Sequence, residues 1–143
     1  MSPYEKDTIE DKLVRLREII KILEEIGGAK EKDFIKDYHI NNVGLLNLLL
    51  GATIILDVGQ HLLSRFTKKT AREYKEVIKM LGEENIIPKD FSVKNIEMAK
   101  FRNLMVHDYD KVKLEDVYKY VKEAPPIFRD FSRYYIEFMD KQK

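Results

Sequence analysis

The chain has 143 residues, with 26 basic against 25 acidic side chains, 44% hydrophobic residues and no cysteine. That length fits one domain, residues 1–143, with a core of useful size, and the mix of apolar and charged residues excludes a disordered chain. The near-zero net charge excludes nucleic-acid binding through a global positive field, and the absence of thiols excludes disulfides, thiolate metal sites and cysteine nucleophiles.

The opening Met1-Ser2-Pro3-Tyr4-Glu5-Lys6-Asp7 carries no apolar run of the kind a signal peptide needs. Ile9, Leu13, Leu16, Ile20, Leu23 and Ile26 recur at three- and four-residue steps, which predicts an amphipathic helix stopped by Gly27-Gly28. A short helix is expected from Glu31 to about Asp37. The longest helix is expected over residues 39–66, apolar on most of its circumference between Leu45 and Val58. Such a helix in a small domain must be central, or must bury a second face against another subunit. Its apolar run is interrupted by Gly44, Asn47, Gly51, Thr53 and Asp57, which argues against a membrane span and for a soluble, cytoplasmic protein.

Thr70 is the expected N-cap of a helix from Ala71 to Leu81, ended by Gly82. Asp90 opens the next helix, which carries Phe91, Ile96, Ala99 and Met105. Leu114, Val117, Tyr118 and Val121 make a further short helix. Pro125-Pro126 then starts the last one, with Phe128, Phe131, Tyr135, Phe138 and Met139 on one stripe. No strand-like alternation persists anywhere. The expected fold is all-α, a single up-and-down-type helical bundle that dimerises through its long central helix.

The chemistry-bearing stretch is Phe101-Arg102-Asn103-Leu104-Met105-Val106-His107-Asp108-Tyr109, at the end of an apolar helical pattern and before a loop. An arginine grips phosphate through a planar fork of donors, and a histidine exchanges protons near neutrality. Cleavage of RNA needs little more, because the 2′-hydroxyl is an internal nucleophile. A base, an acid for the leaving 5′-oxygen and a cation for the charge on phosphorus suffice, and no metal is obligatory. Five helical steps put His107 roughly 140° around from Arg102. Both can face one cleft only if the helix loosens near Val106 or if two subunits contribute. Read as residues alone, the stretch also admits a structural account, with Arg102 paired to a carboxylate and His107 capping a helix end.

Other candidates carry less. His39 precedes the long helix and suits a capping role. Asp57 and His61 lie four apart on one helical face but are two ligands short of a metal site. Asp57 beside Arg102 is more useful chemically, as a buried acid orienting the guanidinium, and a plain core ion pair accounts for it equally well. Lys68-Lys69-Thr70-Ala71-Arg72 reads as a solvated basic turn, and the aromatic stripe from Phe128 to Phe138 as core or dimer packing.

Arg102, Asn103, His107 and Tyr109 resemble the Arg-polar-x3-His-x-Tyr signature of the HEPN superfamily, in its HepT-like branch. The likeness runs over about residues 5–125. Ile55-Leu56-Asp57-Val58-Gly59-Gln60-His61 resembles the branch's long central helix, and the segment from Tyr74 to Pro88 resembles the connector before the motif helix. Tyr118-Lys119-Tyr120-Val121 is similar to the helix that follows. Asn41-Asn42-Val43-Gly44 departs from the family pattern, standing early in the long helix where many relatives carry a charged pair.

The resemblance implies an all-helical homodimer acting as a metal-independent endoribonuclease, the toxin of a type VII-like toxin–antitoxin pair, with tRNA or mRNA as substrate. It implies Arg102 and His107 as catalytic residues, with Asn103 and Asp57 in support, and neither a metal nor another cofactor. It implies a minimal nucleotidyltransferase as partner, transferring AMP to Tyr109 to silence the RNase. The other function class compatible with these residues is a catalytically silent HEPN module that scaffolds the nucleotidyltransferase. The presence of both Arg102 and His107 favours the enzyme.

Overall fold

Ser2 and Glu5 close a capping box around Pro3, each side chain bonding the other's backbone N–H at 3.1 Å, and so start α1 (Pro3–Ile26). The computed structural model describes residues 1–142. Among them α1 is followed by α2 (Glu31–Lys36), α3 (Tyr38–Phe66), α4 (Tyr74–Glu83), α5 (Lys89–Asn95), α6 (Glu97–His107), a 3₁₀ turn (Tyr109–Lys111) and α7 (Leu114–Lys141), with no strand among the described residues.

α3 is the axis on which α1, α4, α6 and α7 all pack. Its glycines mark where neighbours come closest. A β-carbon at Gly44 would lie 3.1 Å from the Phe34 ring and 3.2 Å from Val121. One at Gly51 would collide with the Phe128 ring, and one at Gly59 would sit 2.7 Å from the Tyr135 hydroxyl. Val121, Phe128 and Tyr135 follow one another at heptad spacing, so α3 and α7 run parallel with matching turns in contact. α1 is antiparallel to both: Glu5 pairs with Arg65 near the end of α3 at 3.5 Å, and Glu24 with Arg129 of α7 at 2.6 Å. α6 folds back along the first turns of α7, its Phe101 ring centred 4.3 Å from that of Tyr120.

Several boundaries differ from the sequence expectation, each for a local reason. Pro125-Pro126 does not start a helix, because α7 runs through the pair without a break. The missing proline N–H groups free two carbonyls. Buried Val121, Ala124 and Phe128 flank the pair, and the Tyr118 hydroxyl donates to Ala29 O at 2.8 Å, so packing secures the helix on both sides of it. Thr70 caps nothing, since the Gln60 amide donates to Ala71 O at 3.0 Å and keeps that strand of chain on α3 until α4 begins at Tyr74. Gly82 lies inside α4 against Ser92, and the left-handed residue that ends the helix is Asn85, at φ 58°. Asp37, not His39, caps α3, accepting from the His39 N–H at 3.0 Å. The helix expected after Asp90 is divided at Ile96 into α5 and α6.

By length and composition α3 could cross a membrane. Its packing instead makes it the core helix of the bundle. One stripe stays uncovered: Val43 is 42% and Leu46 52% exposed, and Leu50 is half-buried one turn further on.

Two stability outcomes follow from the α3–α7 seam. Gly51→Ala improves helix propensity by about 1 kcal/mol, yet the clash with Phe128 should leave a net loss of about 1–3 kcal/mol in urea unfolding. The Tyr135 hydroxyl is buried and donates to Ile55 O at 2.8 Å, and burial pushes its pKa far above the ordinary tyrosine value. A raised acid stabilises fully below its unfolded pKa of about 10, and that contribution is lost as pH climbs toward the folded value. Wild type should therefore lose stability above about pH 10 by up to about 1.4 kcal/mol per pH unit more than Tyr135→Phe does. Parallel slopes for the two proteins would contradict this.

Candidate active site

α6 reaches the core through Ala99 and Met105, and this turns Arg102 toward α3 and α4. The Arg102 Nε–H donates to Thr53 Oγ1 at 3.3 Å, and an Nη1–H donates to Asn103 Oδ1 at 3.1 Å. The guanidinium carbon stands 4.5 Å above the centre of the Tyr74 ring. No carboxylate pairs with Arg102 among the described residues. Its positive charge, half-buried, rests on neutral acceptors and an aromatic face, with most of its N–H donors unspent.

Asp57 sits one helical turn beyond Thr53 on α3, and the expected contact with Arg102 is not made. Its carboxylate instead accepts a short hydrogen bond from the Tyr74 hydroxyl. Tyr74 intervenes because α4 packs along this side of α3 and lays its ring between the acid and the guanidinium. That hydrogen bond to Asp57, together with burial, raises the Tyr74 pKa above the ordinary tyrosine value, against a smaller opposing pull from Arg102.

His107 is the last residue of α6 and is exposed. The helix stays regular to its end, the Asp108 N–H bonding Leu104 O at 2.9 Å, so no loosening occurs near Val106. On a regular helix Arg102 and His107 diverge by roughly 140°, and one protomer does not bring them to a common point. Tyr109 opens the 3₁₀ turn with 71% of its surface exposed. His61 has a buried Nε2 with no hydrogen-bond partner. No group of three or more potential metal ligands occurs among the described residues. Sequence reasoning missed Thr53 and Tyr74. Thr53 carried a faint signal, a polar residue four before Asp57 on the same helical face, whereas Tyr74 had none.

A family model described as Ribonuclease HepT-like matches residues 16–135, from within α1 to late α7. The chain belongs to that family. An mRNA nuclease HepT of Shewanella oneidensis is 23% identical over 125 residues, which cover 87% of this chain and 93% of that protein. Among solved structures, a toxin–antitoxin complex with AMP-PNP matches with a TM-score of 0.79 and 22% identity, over 90% of this chain and 98% of that one. A tri-AMPylated Shewanella oneidensis HEPN toxin in complex with an MNT antitoxin matches with a TM-score of 0.79 and 22% identity, over 90% of this chain and 96% of that one. The bundle of this HepT-like chain is thus the all-helical HEPN fold, and Arg102 to Tyr109 lie inside the region the family model spans.

Proposed function

We propose that this HepT-like protein is a metal-independent endoribonuclease toxin that works as a homodimer in the cytoplasm. A minimal nucleotidyltransferase antitoxin silences it by transferring AMP to Tyr109. The observation that carries the reading is Arg102, a half-buried guanidinium held by Thr53, Asn103 and Tyr74 with no carboxylate paired to it among the described residues. A cation so placed costs solvation and is useful only when an anion arrives. The phosphodiester of RNA is such an anion.

In the reaction the 2′-hydroxyl oxygen forms a bond to phosphorus as the bond to the 5′-oxygen breaks. His107 takes the 2′-hydroxyl proton, a water protonates the leaving 5′-oxygen, and the second subunit's copy of Arg102 balances the charge on the phosphoryl oxygens. RNA brings its own nucleophile, so no metal-bound water is needed. The uncovered α3 stripe of Val43, Leu46 and Leu50 continues in register to Thr53, which holds Arg102. Pairing two such stripes buries them and draws the two motif helices to one seam. That arrangement answers the divergence of Arg102 and His107 on a regular helix.

Purified protein should cleave RNA equally well with and without EDTA. Arg102→Ala and His107→Ala should each lower cleavage by about 100-fold or more, while their unfolding midpoints stay near wild type because neither side chain lies in the core. Re-annealing the two variants together should restore activity, since one cleft of each mixed dimer then keeps an intact pair. Restoration absent at every mixing ratio would place both residues in one chain's own site. A wild type inert on RNA that still binds the nucleotidyltransferase would make the chain a scaffold instead.

Co-expression with the nucleotidyltransferase should raise the intact mass by one or more AMP units and abolish cleavage. Tyr109→Phe should show neither change. A mass shift that survives in Tyr109→Phe would assign the modification elsewhere.

A further inference from the structure

Asp57 and Arg102 both touch Tyr74, and they touch different parts of it. The guanidinium lies over the ring face at 4.5 Å, and the carboxylate accepts from the hydroxyl at the ring's edge. Thr53, which accepts from Arg102, is one turn of α3 from Asp57. An acid so close to an unpaired guanidinium would ordinarily swing onto it, because a bidentate pair is the strongest contact open to either group. Here the carboxylate's hydrogen bond is to the Tyr74 hydroxyl instead. We propose that Tyr74 is a positioning residue for Arg102: its ring seats the guanidinium, and its hydroxyl keeps the Asp57 carboxylate off it, leaving the charge free for a phosphate.

The two halves of the side chain have separable consequences. Removing the hydroxyl alone frees Asp57 to pair with Arg102, so the cation is spent on an internal anion and phosphate must compete for it. Removing the ring as well takes away the aromatic face, a loss of about 2- to 30-fold in binding at a partly desolvated site. The hydroxyl keeps its proton well into alkaline conditions, since the bond to Asp57 and burial both raise its pKa, so the restraint persists across the physiological range.

The proposal rests on the reading of Arg102 as the phosphate-binding cation, and its test separates the two. Inorganic phosphate is titrated into full-length protein while the Arg102 Nε–H resonance is followed by NMR, with RNA cleavage measured in parallel as kcat and KM. Tyr74→Phe should weaken phosphate binding about 3- to 10-fold, and Tyr74→Phe combined with Asp57→Asn should return it to near the wild-type value. Tyr74→Leu should weaken binding more than Tyr74→Phe does, and Asp57→Asn should repair it only in part, leaving the loss of about 2- to 30-fold that belongs to the ring face. A Tyr74→Phe protein that binds phosphate like wild type, or one that Asp57→Asn fails to rescue, would overturn the proposal. So would a wild type whose Arg102 resonance ignores phosphate. If the phosphate pattern appears as stated and wild type cleaves no RNA, the ribonuclease reading falls and the role of Tyr74 stands.

Discussion

The approach of α7 to the backbone of α3 at Gly44, Gly51 and Gly59 fixes the place of almost everything else. Each glycine costs helix stability, of the order of 0.5–1 kcal/mol relative to alanine. In exchange Phe128 and Tyr135 lie against bare backbone, where many dispersion contacts accumulate and a tyrosine hydroxyl reaches Ile55 O. The seam sets the height of α7 on α3. α7 sets the height of α6, through the turn at 108–113 and the stacked rings of Phe101 and Tyr120. α6 in turn sets where Arg102 meets Thr53. A shift of one residue in the seam would carry the guanidinium off its acceptor, so a packing constraint on one side of α3 governs electrostatics on the other.

That electrostatic arrangement goes against the habit of folded proteins, which pair a desolvated charge with its opposite. The nine ion pairs found among the described residues lie on the surface, where each contributes little. Asp57, one turn from the Thr53 that holds Arg102, is engaged elsewhere, by a phenol. Stability alone would favour letting Asp57 and Arg102 meet. A protein that forgoes this gain keeps a cation whose field points outward, and that is the property an anionic transition state exploits.

The parts legible in the sequence were those with local causes. The apolar steps of α1, the all-round apolar α3 and the stop at Gly27-Gly28 are encoded within a few residues of where they act. The motif residues were legible because they are close in sequence and chemically distinctive. Pro125-Pro126 misled for the opposite reason: its local meaning is a helix start, and tertiary packing through Val121 and Phe128 overrides it. The glycines of α3 read only as interruptions, since their role depends on rings some 77 residues away, as for Gly51 and Phe128. The contact of Arg102 with Thr53 spans 49 residues and that of Tyr74 with Asp57 spans 17, and no periodicity announces either.

The tyrosines show how narrowly the fold confines any modification of a phenol. A hydroxyl that is to attack a nucleotide's phosphorus must be exposed and must have no stronger commitment. Tyr74, Tyr118 and Tyr135 donate theirs to Asp57, Ala29 O and Ile55 O. For Tyr74 and Tyr135 the raised pKa further disfavours the phenolate that would be the better nucleophile. Tyr4, Tyr38 and Tyr109 are the strongly exposed ones, at 81%, 65% and 71%. Tyr4 and Tyr38 open α1 and α3, away from the motif in sequence, and an adduct there would need some relay to reach Arg102. An adduct on Tyr109 would stand two residues from His107, on the turn that joins the motif helix to α7. Its phosphodiester would carry the charge and oxygen geometry that Arg102 is left free to bind. Inhibition in the proposed scheme is then substrate mimicry by a tethered group, and the same unpaired guanidinium that serves catalysis makes the enzyme open to this control.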